Sequence, residues 1–381
     1  MPLTAAIIGT GFMGWVHSEA LRRCGIKVVG VLGSSPRKSK EAASQIGAEH
    51  GYESLEELLS DSRAQVVHIA SPNRTHFQMA CDLIANGKHV LCEKPLAMTA
   101  TQSSHLAELA SKSQDVVTSV NYNIRYYPLC SEARQRIQQH ELGRIFHITG
   151  SYTQDWLLYA NDYNWRVLSE EGGELRAIAD IGTHWLDLLQ SISGLEVTAV
   201  CADLRTIHKK RERPMGEVET FQKTSDEKIA TESIDISTED FATVLLSFSN
   251  DVSGCLHVSQ VCAGRKNSLK YEIAGEFKSL SWNSETPNEL KIGHRDRANE
   301  VLIRDPSLLG TSARMHSDYP GGHNEGFADT FKQHFREFYD YIEAGDFSKK
   351  RTFPTFEDGH RELRICEAIL ASHKKRGWVE I

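Results

Sequence analysis

The chain has 381 residues, of which 40% are hydrophobic and 25% are charged, and its formal net charge is −8. This length favours two domains, and the balance of apolar and charged residues excludes a disordered chain. The acidic charge and a pI near 6.1 argue against a nucleic-acid partner, which needs a basic surface. No apolar run approaches the ~20 residues that span a bilayer, so we expect no membrane partner.

The cysteines and the N-terminus bear on cellular location. Eight cysteines are scattered singly along the chain, without a C-x-x-C spacing. This pattern is typical of reduced thiols, and the first residues lack the basic stretch of a signal peptide. We therefore predict a cytoplasmic protein.

Short β-rich runs alternate with helical patterns over residues 1–123. Each run is almost continuously apolar, as in strands that are covered on both faces. The alternation predicts an α/β domain with a doubly wound parallel sheet of the Rossmann type. The predicted strands cover 4–9, 27–33, 65–71, 89–94 and 116–121, and the clearest helices cover 54–61, 76–87 and 101–113.

After about residue 124 the pattern changes to alternating strands joined by turns, which predicts an α+β domain over 124–381 with one large, mainly antiparallel open sheet. The predicted strands cover 144–156, 198–207, 241–250, 252–262, 268–276 and 278–284. Helices at 327–345 and 358–377 follow, and the last is a candidate to pack back on the first domain. The charged segment 209–233 is predicted to be an exposed excursion, with a partner-binding arm as the alternative.

The sequence IIGTGFMG carries a G-x-G-x-x-G motif between the first strand and a helix. In this context it predicts a dinucleotide site, with a merely structural glycine turn as the alternative. Gly9 permits the tight turn, Gly11 lets the backbone approach a pyrophosphate, and Gly14 allows close packing. The helix N-terminus offers N–H groups to the anion. Three neighbours are also predicted to contact the cofactor: Thr10, Phe12 and Met13.

The end of the second strand bears on the choice between NAD and NADP. An NAD site usually places Asp or Glu there for the ribose 2′-OH, but the sequence VLGSSPRKSK has no acid before Glu41. Hydroxyls and cations suit a 2′-phosphate, so NADP(H) is the predicted preference and NAD(H) the alternative. The predicted contacts are Ser34, Ser35, Arg37 and Lys38. The two cations can instead be solvated charges at a helix start.

Two further strand ends point to the same crevice at the carboxyl edge of the sheet. ASPNRTH follows one strand and CEKPLAM the next. This placement lets Lys94 reach the ribose, or the oxygen on the carbon that loses hydride. The predicted cofactor contacts are Ser71, Pro72, Asn73, His76, Glu93, Lys94 and Asn121, with Arg166 added from the second domain.

The stretch AIADIGTHWLDLLQSISG reads as a helix with two stripes. Asp180, His184 and Asp187 lie within about 40° of one another, which allows a metal site, an acid–base site or a solvated helix face. Two ligands are too few for a catalytic zinc, so we predict no metal. The apolar stripe is predicted to be the core face and consists of Ile181, Trp185, Leu188, Leu189 and Ile192.

The order of these motifs resembles the glucose–fructose oxidoreductase/inositol dehydrogenase (Gfo/Idh/MocA) family over essentially the whole chain. The resemblance implies reversible oxidation of a secondary alcohol on a sugar or cyclic polyol with NAD or NADP. It also implies a second domain that carries the substrate and often the subunit contact, so we expect a homodimer or homotetramer. The family's catalytic lysine matches Lys94, and its aspartate and histidine match Asp180 and His184. Gly33 and Ser34 replace the acidic residue of NAD-using members.

The chemistry explains these residue types. The hydroxyl proton must leave as hydride departs, and an unperturbed histidine titrates near neutrality, so His184 is the predicted base. Asp180 is predicted to orient the imidazole or to bind a neighbouring hydroxyl, and Lys94 to donate to the reacting oxygen. Asp187 is assigned only a structural hydrogen bond.

Aromatic and amide side chains cluster in SYTQDWLLYANDYNWR, where they can present ring faces and hydrogen bonds to a sugar. Packing against the sheet is the alternative. Arg125 matches a family position near the cofactor and substrate. Besides Lys94, Asp180 and His184, the predicted substrate contacts are Arg125, Trp156, Asn164, Trp165 and, at the pocket mouth, His323.

The predicted function is therefore an NADP(H)-preferring oxidoreductase of a sugar or cyclic polyol. One alternative is a lyase or glycosidase that keeps its cofactor and oxidises the substrate transiently. Another is a nucleotide-sensing regulator without activity, which would be expected to lose the catalytic set Lys94, Asp180 and His184.

Overall fold

The structure, a computed structural model, describes residues 2–215 and 230–381. The N-terminal part forms a six-stranded parallel sheet in the order β3-β2-β1-β4-β5-β6. Its strands are β1 Thr4–Ile8, β2 Lys27–Leu32, β3 His50–Tyr52, β4 Val66–Ile69, β5 His89–Cys92 and β6 Thr118–Val120. The strand order reverses beside β1, where a doubly wound sheet opens a ligand crevice. The predicted Rossmann fold is confirmed.

Both faces of this sheet are buried. Ala5 and Ile7 of β1 belong to one apolar cluster, and Ala6 and Ile8 belong to another. A strand that alternates between two cores has no polar face, which explains its continuous apolar run. The helices that connect the strands are α1 Phe12–Arg23, α2 Pro36–Ile46, α3 Leu55–Ser60, α4 Asn73–Ala85 and α5 Ala100–Lys112.

Strand β3 is absent from the sequence prediction. It has three residues, and Gly51 at its centre lies against the backbone of α2 at Ser39 and Lys40, where a Cβ would overlap. Three residues without an apolar run carry too little periodicity to predict a strand.

The second sheet has nine strands in the order β16-β15-β14-β13-β7-β12-β11-β8-β17. Its pairings are antiparallel except for β7 with β12, which is parallel, so the predicted mainly antiparallel sheet is confirmed. Strands β15, β16 and β17, the last three along the chain, were not predicted. The strands are β7 Ile145–Thr153, β8 Val197–Arg205, β11 Phe241–Phe248, β12 Val252–Ser259, β13 Ser268–Gly275, β14 Ser279–Asn283, β15 Glu289–Gly293, β16 Glu300–Ile303 and β17 Val379–Glu380.

The charged segment 209–233 is partly structured. β9 Lys210–Pro214 pairs antiparallel with β10 Thr231–Asp235. The Arg211 guanidinium is fully buried and donates to Asp240 at 2.8 Å. The prediction of an exposed excursion is therefore wrong at β9, because Arg211 is a buried anchor. Residues 216–229 of that segment lie outside the described residues.

The remaining α-helices follow residue 127, and two of them pack back on the Rossmann part. They are α6 Pro128–Gln138, α7 Ser169–Gly172, α8 Thr183–Ser193, α9 Thr311–Met315, α10 Phe327–Ala344 and α11 Phe356–Lys375. α10 packs against α1, and α11 packs against both α5 and β8. α11 therefore joins the Rossmann part to the nine-stranded sheet, whereas α10 packs on the Rossmann part.

Helix α8 carries the predicted core stripe on its buried side. Trp185, Leu188 and Leu189 are completely buried, which confirms that prediction. The Trp185 indole N–H donates to the Lys270 carbonyl at 2.9 Å, and Gly150 lies opposite the ring because a Cβ there would overlap it. A π-helical turn at Ile178–Gly182 precedes the helix, so the 3.6-residue spacing does not extend back to Asp180.

Candidate active site

The glycine loop after β1 has the shape of a pyrophosphate cradle. Gly9 has φ +121°, and a Cβ on it would overlap the Ala70 carbonyl; a Cβ on Gly14 would overlap the Gly9 carbonyl. Gly11 differs, since a Cβ added to it would meet no atom within 4 Å beyond its chain neighbours. α1 then begins at Phe12 without a side-chain cap. The loop therefore leaves open space in front of a helix N-terminus, which fits the pyrophosphate of a dinucleotide.

The end of β2 lacks a carboxylate, as the sequence indicates. Ser35 caps α2 by accepting the Lys38 N–H at 3.3 Å, and Ser34 is exposed. The Arg37 guanidinium donates to Glu41 at 2.9 Å, and both side chains are exposed. The predicted Arg37 cation is therefore exposed beside α2, but Glu41 offsets part of its charge.

Several predicted cofactor contacts lie behind the crevice rather than in it. His76 is fully buried, with its ring nitrogens 2.8 Å from the carbonyl oxygens of Pro95 and Ser71. Asn121 donates to Glu93 at 2.5 Å, and both are almost completely buried. These three residues, His76, Glu93 and Asn121, all bind other protein groups, and their contact with the cofactor stays a prediction.

The loop after β4 is also tied to the second domain. The Asn73 amide donates to the Gly172 carbonyl at 3.0 Å, and the Ser71 hydroxyl lies 2.6 Å from that of Thr75. Pro72 precedes α4 in an extended conformation. The loop thus holds its position beside the crevice through its own side chains.

Lys94 and Asp180, which are 86 residues apart, meet in the crevice. The Lys94 ammonium donates to the Asp180 main-chain oxygen at 2.7 Å and to its carboxylate at 2.8 Å. Gln260, which sequence patterns did not single out, donates to the other carboxylate oxygen at 2.8 Å, and Arg166 lies 3.3 Å away. Burial raises the pKa of Asp180, but the charges of Lys94 and Arg166 outweigh it and hold the pKa well below its usual range.

His184 lies in the same crevice, but no hydrogen bond among the described residues joins it to the Asp180 carboxylate. Of the two roles predicted for Asp180, the structure gives no support to orienting the imidazole, and binding a substrate hydroxyl stays a prediction. The His184 ring is packed between Tyr122 and Tyr152, at centroid distances of 5.7 and 6.4 Å. Burial, reinforced by the charge of Lys94, lowers the pKa of His184 to about 3. The imidazole is therefore neutral at pH 7, rather than titrating near neutrality as expected.

Two polar atoms of this cluster are buried without a partner among the described residues. They are His184 Nδ1 and Gln260 Oε1. Buried polar groups nearly always have a partner. The cluster is therefore suited to a ligand that carries several hydrogen-bonding groups.

The predicted substrate residues divide into two groups. Arg166, expected at the cofactor, instead reaches Asp180, and its guanidinium lies 4.3 Å from the centroid of the Trp165 ring. Asn164 accepts the Arg166 N–H at 3.1 Å and so shapes this turn, whereas the Trp156 indole donates to Gln154 at 2.7 Å. Trp165 and Arg166 flank the cluster of Lys94, Asp180 and His184.

Two other predicted substrate residues have structural contacts. Arg125 donates to Asp187 at 2.7 Å and lies 3.2 Å from Asp358, so its charge is neutralised inside the protein. This confirms the structural role predicted for Asp187. His323 is exposed, and its carbonyl accepts from the buried Arg304. No contact among the described residues joins His323 to the Lys94 cluster.

Comparisons with known proteins agree with this geometry. Residues 3–122 match the model of an oxidoreductase family with an NAD-binding Rossmann fold, and residues 130–281 match the GFO/IDH/MocA C-terminal domain. The chain belongs to the GFO/IDH/MocA oxidoreductase family. It is 29% identical to levoglucosan dehydrogenase from Pseudarthrobacter phenanthrenivorans over 392 aligned positions, covering 100% of this chain and 98% of the relative.

Solved structures that resemble this chain cover the same length. An oxidoreductase domain protein from Kribbella flavida has a TM-score of 0.90 at 26% identity, covering 100% of this chain and 99% of that one. Levoglucosan dehydrogenase in complex with NADH and L-sorbose has a TM-score of 0.88 at 27% identity, with the same coverage. The chain is an oxidoreductase with an NAD-binding Rossmann fold. No helix among the described residues is long and apolar enough to cross a membrane.

Proposed function

We propose that this GFO/IDH/MocA oxidoreductase interconverts a secondary alcohol and a ketone on a sugar or cyclic polyol. The observation that carries the proposal is the partly buried Lys94–Asp180 pair with His184 beside it, at the carboxyl edge of the Rossmann sheet. The similar levoglucosan dehydrogenase, solved with NADH and L-sorbose, supports a sugar as the substrate class.

Each side chain has a separate task in the proposed reaction. The nicotinamide cofactor, when bound, accepts or returns the hydride. An ammonium group has three N–H donors, and Asp180 accepts two from Lys94, so the third can donate to the reacting oxygen and stabilise its developing charge. The neutral His184 ring can accept the hydroxyl proton during oxidation. Gln260 and Arg166 hold Asp180 in place.

We propose NADP(H) as the preferred cofactor and NAD(H) as the second. The support is the sequence GSSPRK after β2, which offers hydroxyls and cations and no carboxylate to repel a 2′-phosphate. Arg37 is exposed at the start of α2, within reach of solvent and ligands.

One assay tests both proposals. The purified protein is incubated with a panel of sugars and cyclic polyols, levoglucosan and L-sorbose included, with NAD⁺ or NADP⁺ for alcohols and the reduced cofactors for ketones. We expect a stoichiometric change in reduced nicotinamide, with the larger kcat/KM for the phosphorylated cofactor. Product formed without net cofactor reduction would favour a cofactor-retaining lyase or glycosidase instead. A larger kcat/KM with NAD⁺ would reject the cofactor preference.

We further propose that residues 1–123 and 124–381 act as two domains and that the chain forms a homodimer or homotetramer through the open face of the nine-stranded sheet. Phe146, Leu245 and Val301 are 45%, 47% and 52% exposed on that sheet. Light scattering after gel filtration tests the assembly.

We also propose a cytoplasmic location. All eight cysteines are free, which supports a reducing compartment such as the cytoplasm.

A further inference from the structure

A chain of buried polar side chains ends on Glu93, the residue before Lys94. The Glu93 carboxylate lies 2.9 Å from His17 Nε2, His17 Nδ1 lies 3.0 Å from His68 Nδ1, and His68 Nε2 lies 3.0 Å from the Tyr339 hydroxyl. Both histidines are completely buried, and Tyr339 is 2% exposed. We call this the histidine arm. It connects α1, β4 and α10 to the residue beside Lys94.

A second arm reaches Glu93 from the opposite side. The Asn121 amide donates to the same carboxylate oxygen at 2.5 Å, and its carbonyl oxygen lies 3.0 Å from His334 Nδ1. His334 Nε2 lies 2.9 Å from the Ser119 hydroxyl. We call this the asparagine arm. Because His334 and Tyr339 both belong to α10, that helix supplies one residue to each arm.

The hydrogens of the histidine arm and of the Asn121 amide point towards Glu93. A carboxylate oxygen only accepts, so His17 Nε2 carries a hydrogen whatever the charge of the ring. With His17 neutral, its Nδ1 accepts from His68, and His68 Nε2 accepts from the Tyr339 hydroxyl. In the asparagine arm the Ser119 hydroxyl donates to the Pro354 carbonyl at 2.7 Å, so the run of aligned donors does not extend through His334, which packs beside the Asn121 carbonyl. The histidine arm and the Asn121 amide thus converge on one buried charge, and along the histidine arm each bond polarises the next.

This convergence keeps Glu93 ionised in spite of its burial. Burial by itself raises the pKa of a carboxyl group, but His17, Lys94 and Asn121 together lower the pKa of Glu93 to about 2. Its second carboxylate oxygen accepts the Lys94 backbone N–H at 3.2 Å. Lys94 is therefore held at its backbone by Glu93 and at its ammonium by Asp180.

We propose that His17, His334 and Tyr339 are positioning residues, whose two arms fix the Glu93 carboxylate and, through it, the backbone from which Lys94 reaches the substrate. The inference rests on the proposed function only in taking Lys94 as a group that contacts substrate. A small displacement of such a group is enough to slow chemistry about 100-fold.

The first test compares two substitutions at one position. His17→Phe keeps a ring but has no donor, whereas Gln in His17→Gln has an amide N–H that can donate to Glu93. We expect His17→Phe to lower kcat about 10-fold to 100-fold with little change in the KM of the sugar, and His17→Gln to restore most of it. Equal losses in both variants, or a kcat of His17→Phe within twofold of wild type, would overturn the proposal.

Two further variants separate positioning from folding. Tyr339→Phe removes only a hydroxyl at the far end of the histidine arm, and we expect a loss of kcat of about two- to fivefold together with a lower melting temperature, because the buried His68 loses its partner. His89→Gln is the matched control: His89 is a partly buried histidine of β5 whose Nδ1 accepts the Val117 N–H, at the opposite end of the strand from Glu93. It should affect stability and leave kcat unchanged. A kcat loss in His89→Gln equal to that in His17→Phe would show a general folding effect and reject the proposal.

A readout without substrate separates this inference from the proposed function. Trace acetylation by acetic anhydride, followed by mass spectrometry, gives the reaction rate of the Lys94 amine. We expect the rate to rise severalfold in His17→Phe, because a displaced lysine loses its contact with Asp180, and to stay at the wild-type value in His17→Gln and His89→Gln. If no sugar is oxidised but this pattern appears, the proposed function fails and the positioning role stands. Equal labelling of wild type and His17→Phe would reject the positioning role alone.

Discussion

Replacing Lys94 by methionine isolates the contribution of its ammonium group. Methionine keeps the length and apolar stem of the side chain but removes all three donors. Two of those donors bind Asp180 at 2.7 and 2.8 Å, so in the proposed reaction only one serves the substrate. Removing one donor from a developing oxyanion typically lowers kcat about 100-fold to 1,000-fold, or ~2.7–4 kcal/mol. We expect a loss in that range.

The same substitution has a limited effect on stability. The Asp180 carboxylate keeps Gln260 at 2.8 Å and Arg166 at 3.3 Å, so it is not left without partners. The loss of unfolding free energy should therefore stay within the ~1–3 kcal/mol of a partly compensated buried group. Cofactor affinity should fall far less than kcat, because the glycine loop is untouched and only the predicted contact of Lys94 is lost.

Steady-state kinetics on the best substrate of the panel, cofactor titration by tryptophan fluorescence and urea denaturation measure these three quantities. Lys88→Met is the matched control, since Lys88 is also buried but lies just before β5, at the opposite end of that strand, and donates to the Asp61 carbonyl at 2.8 Å. It should lower stability and leave kcat unchanged. A Lys94→Met enzyme that retains more than about one tenth of kcat would refute the donor role.

Three other predictions follow from the structure. Glu41→Gln removes the partner of Arg37. Calorimetry should show that the variant binds NADP⁺ about twofold more tightly than wild type and binds NAD⁺ with the wild-type affinity. An equal change in affinity for both cofactors would contradict a contact between Arg37 and the 2′-phosphate. The pKa values of His184 and His334 are both lowered to about 3 by burial, so the unfolded chain takes up their protons first as the pH falls below 6.5. Unfolding free energy should then fall by about 1.4 kcal/mol per pH unit for each of them until pH 3, and urea melts showing equal stability at pH 7 and pH 5 would contradict this. Arg211→Met leaves the carbonyl oxygens of residues 157, 159 and 162 without their donor and Asp240 with one cation fewer. The unfolding free energy should fall by ~3–5 kcal/mol, and the KM of the sugar should rise more than the KM of the cofactor. The reverse order of KM changes would show that Arg211 does not shape the loop 157–162 for the substrate.

Local patterns were sufficient for the parts of the molecule that depend on neighbours in the chain. The glycine motif places a turn, a helix N-terminus and a close approach within six residues, and the structure shows all three. The apolar runs of the Rossmann strands and the stripe with Trp185 and Leu188 follow from periodicity, because a buried face repeats with the period of its element.

The roles of individual polar residues were decided by the tertiary structure. Arg125 had a predicted place near the substrate, but Asp187 and Asp358, which are far away along the chain, neutralise it inside the protein. Gln260 binds Asp180 although the sequence around it carries no distinguishing pattern. His184 has a titratable side chain in any sequence, yet its lowered pKa comes from burial and from Lys94.

The amino-acid sequence by itself determined the fold class and the dinucleotide loop, whereas the shared site of Lys94, Asp180 and His184 was implied by the family resemblance. It did so because short-range periodicity and motif order record which elements form and where parallel strands end. Only the tertiary structure decided which polar groups bind Asp180 and which bind Glu93. Burial, charge neighbours and hydrogen-bond direction are set by segments 51 to 271 residues apart, such as those that bring His68 to His17 and Tyr339 to His68. Those three quantities determine the pKa and orientation of a side chain, and they exist only in the folded chain.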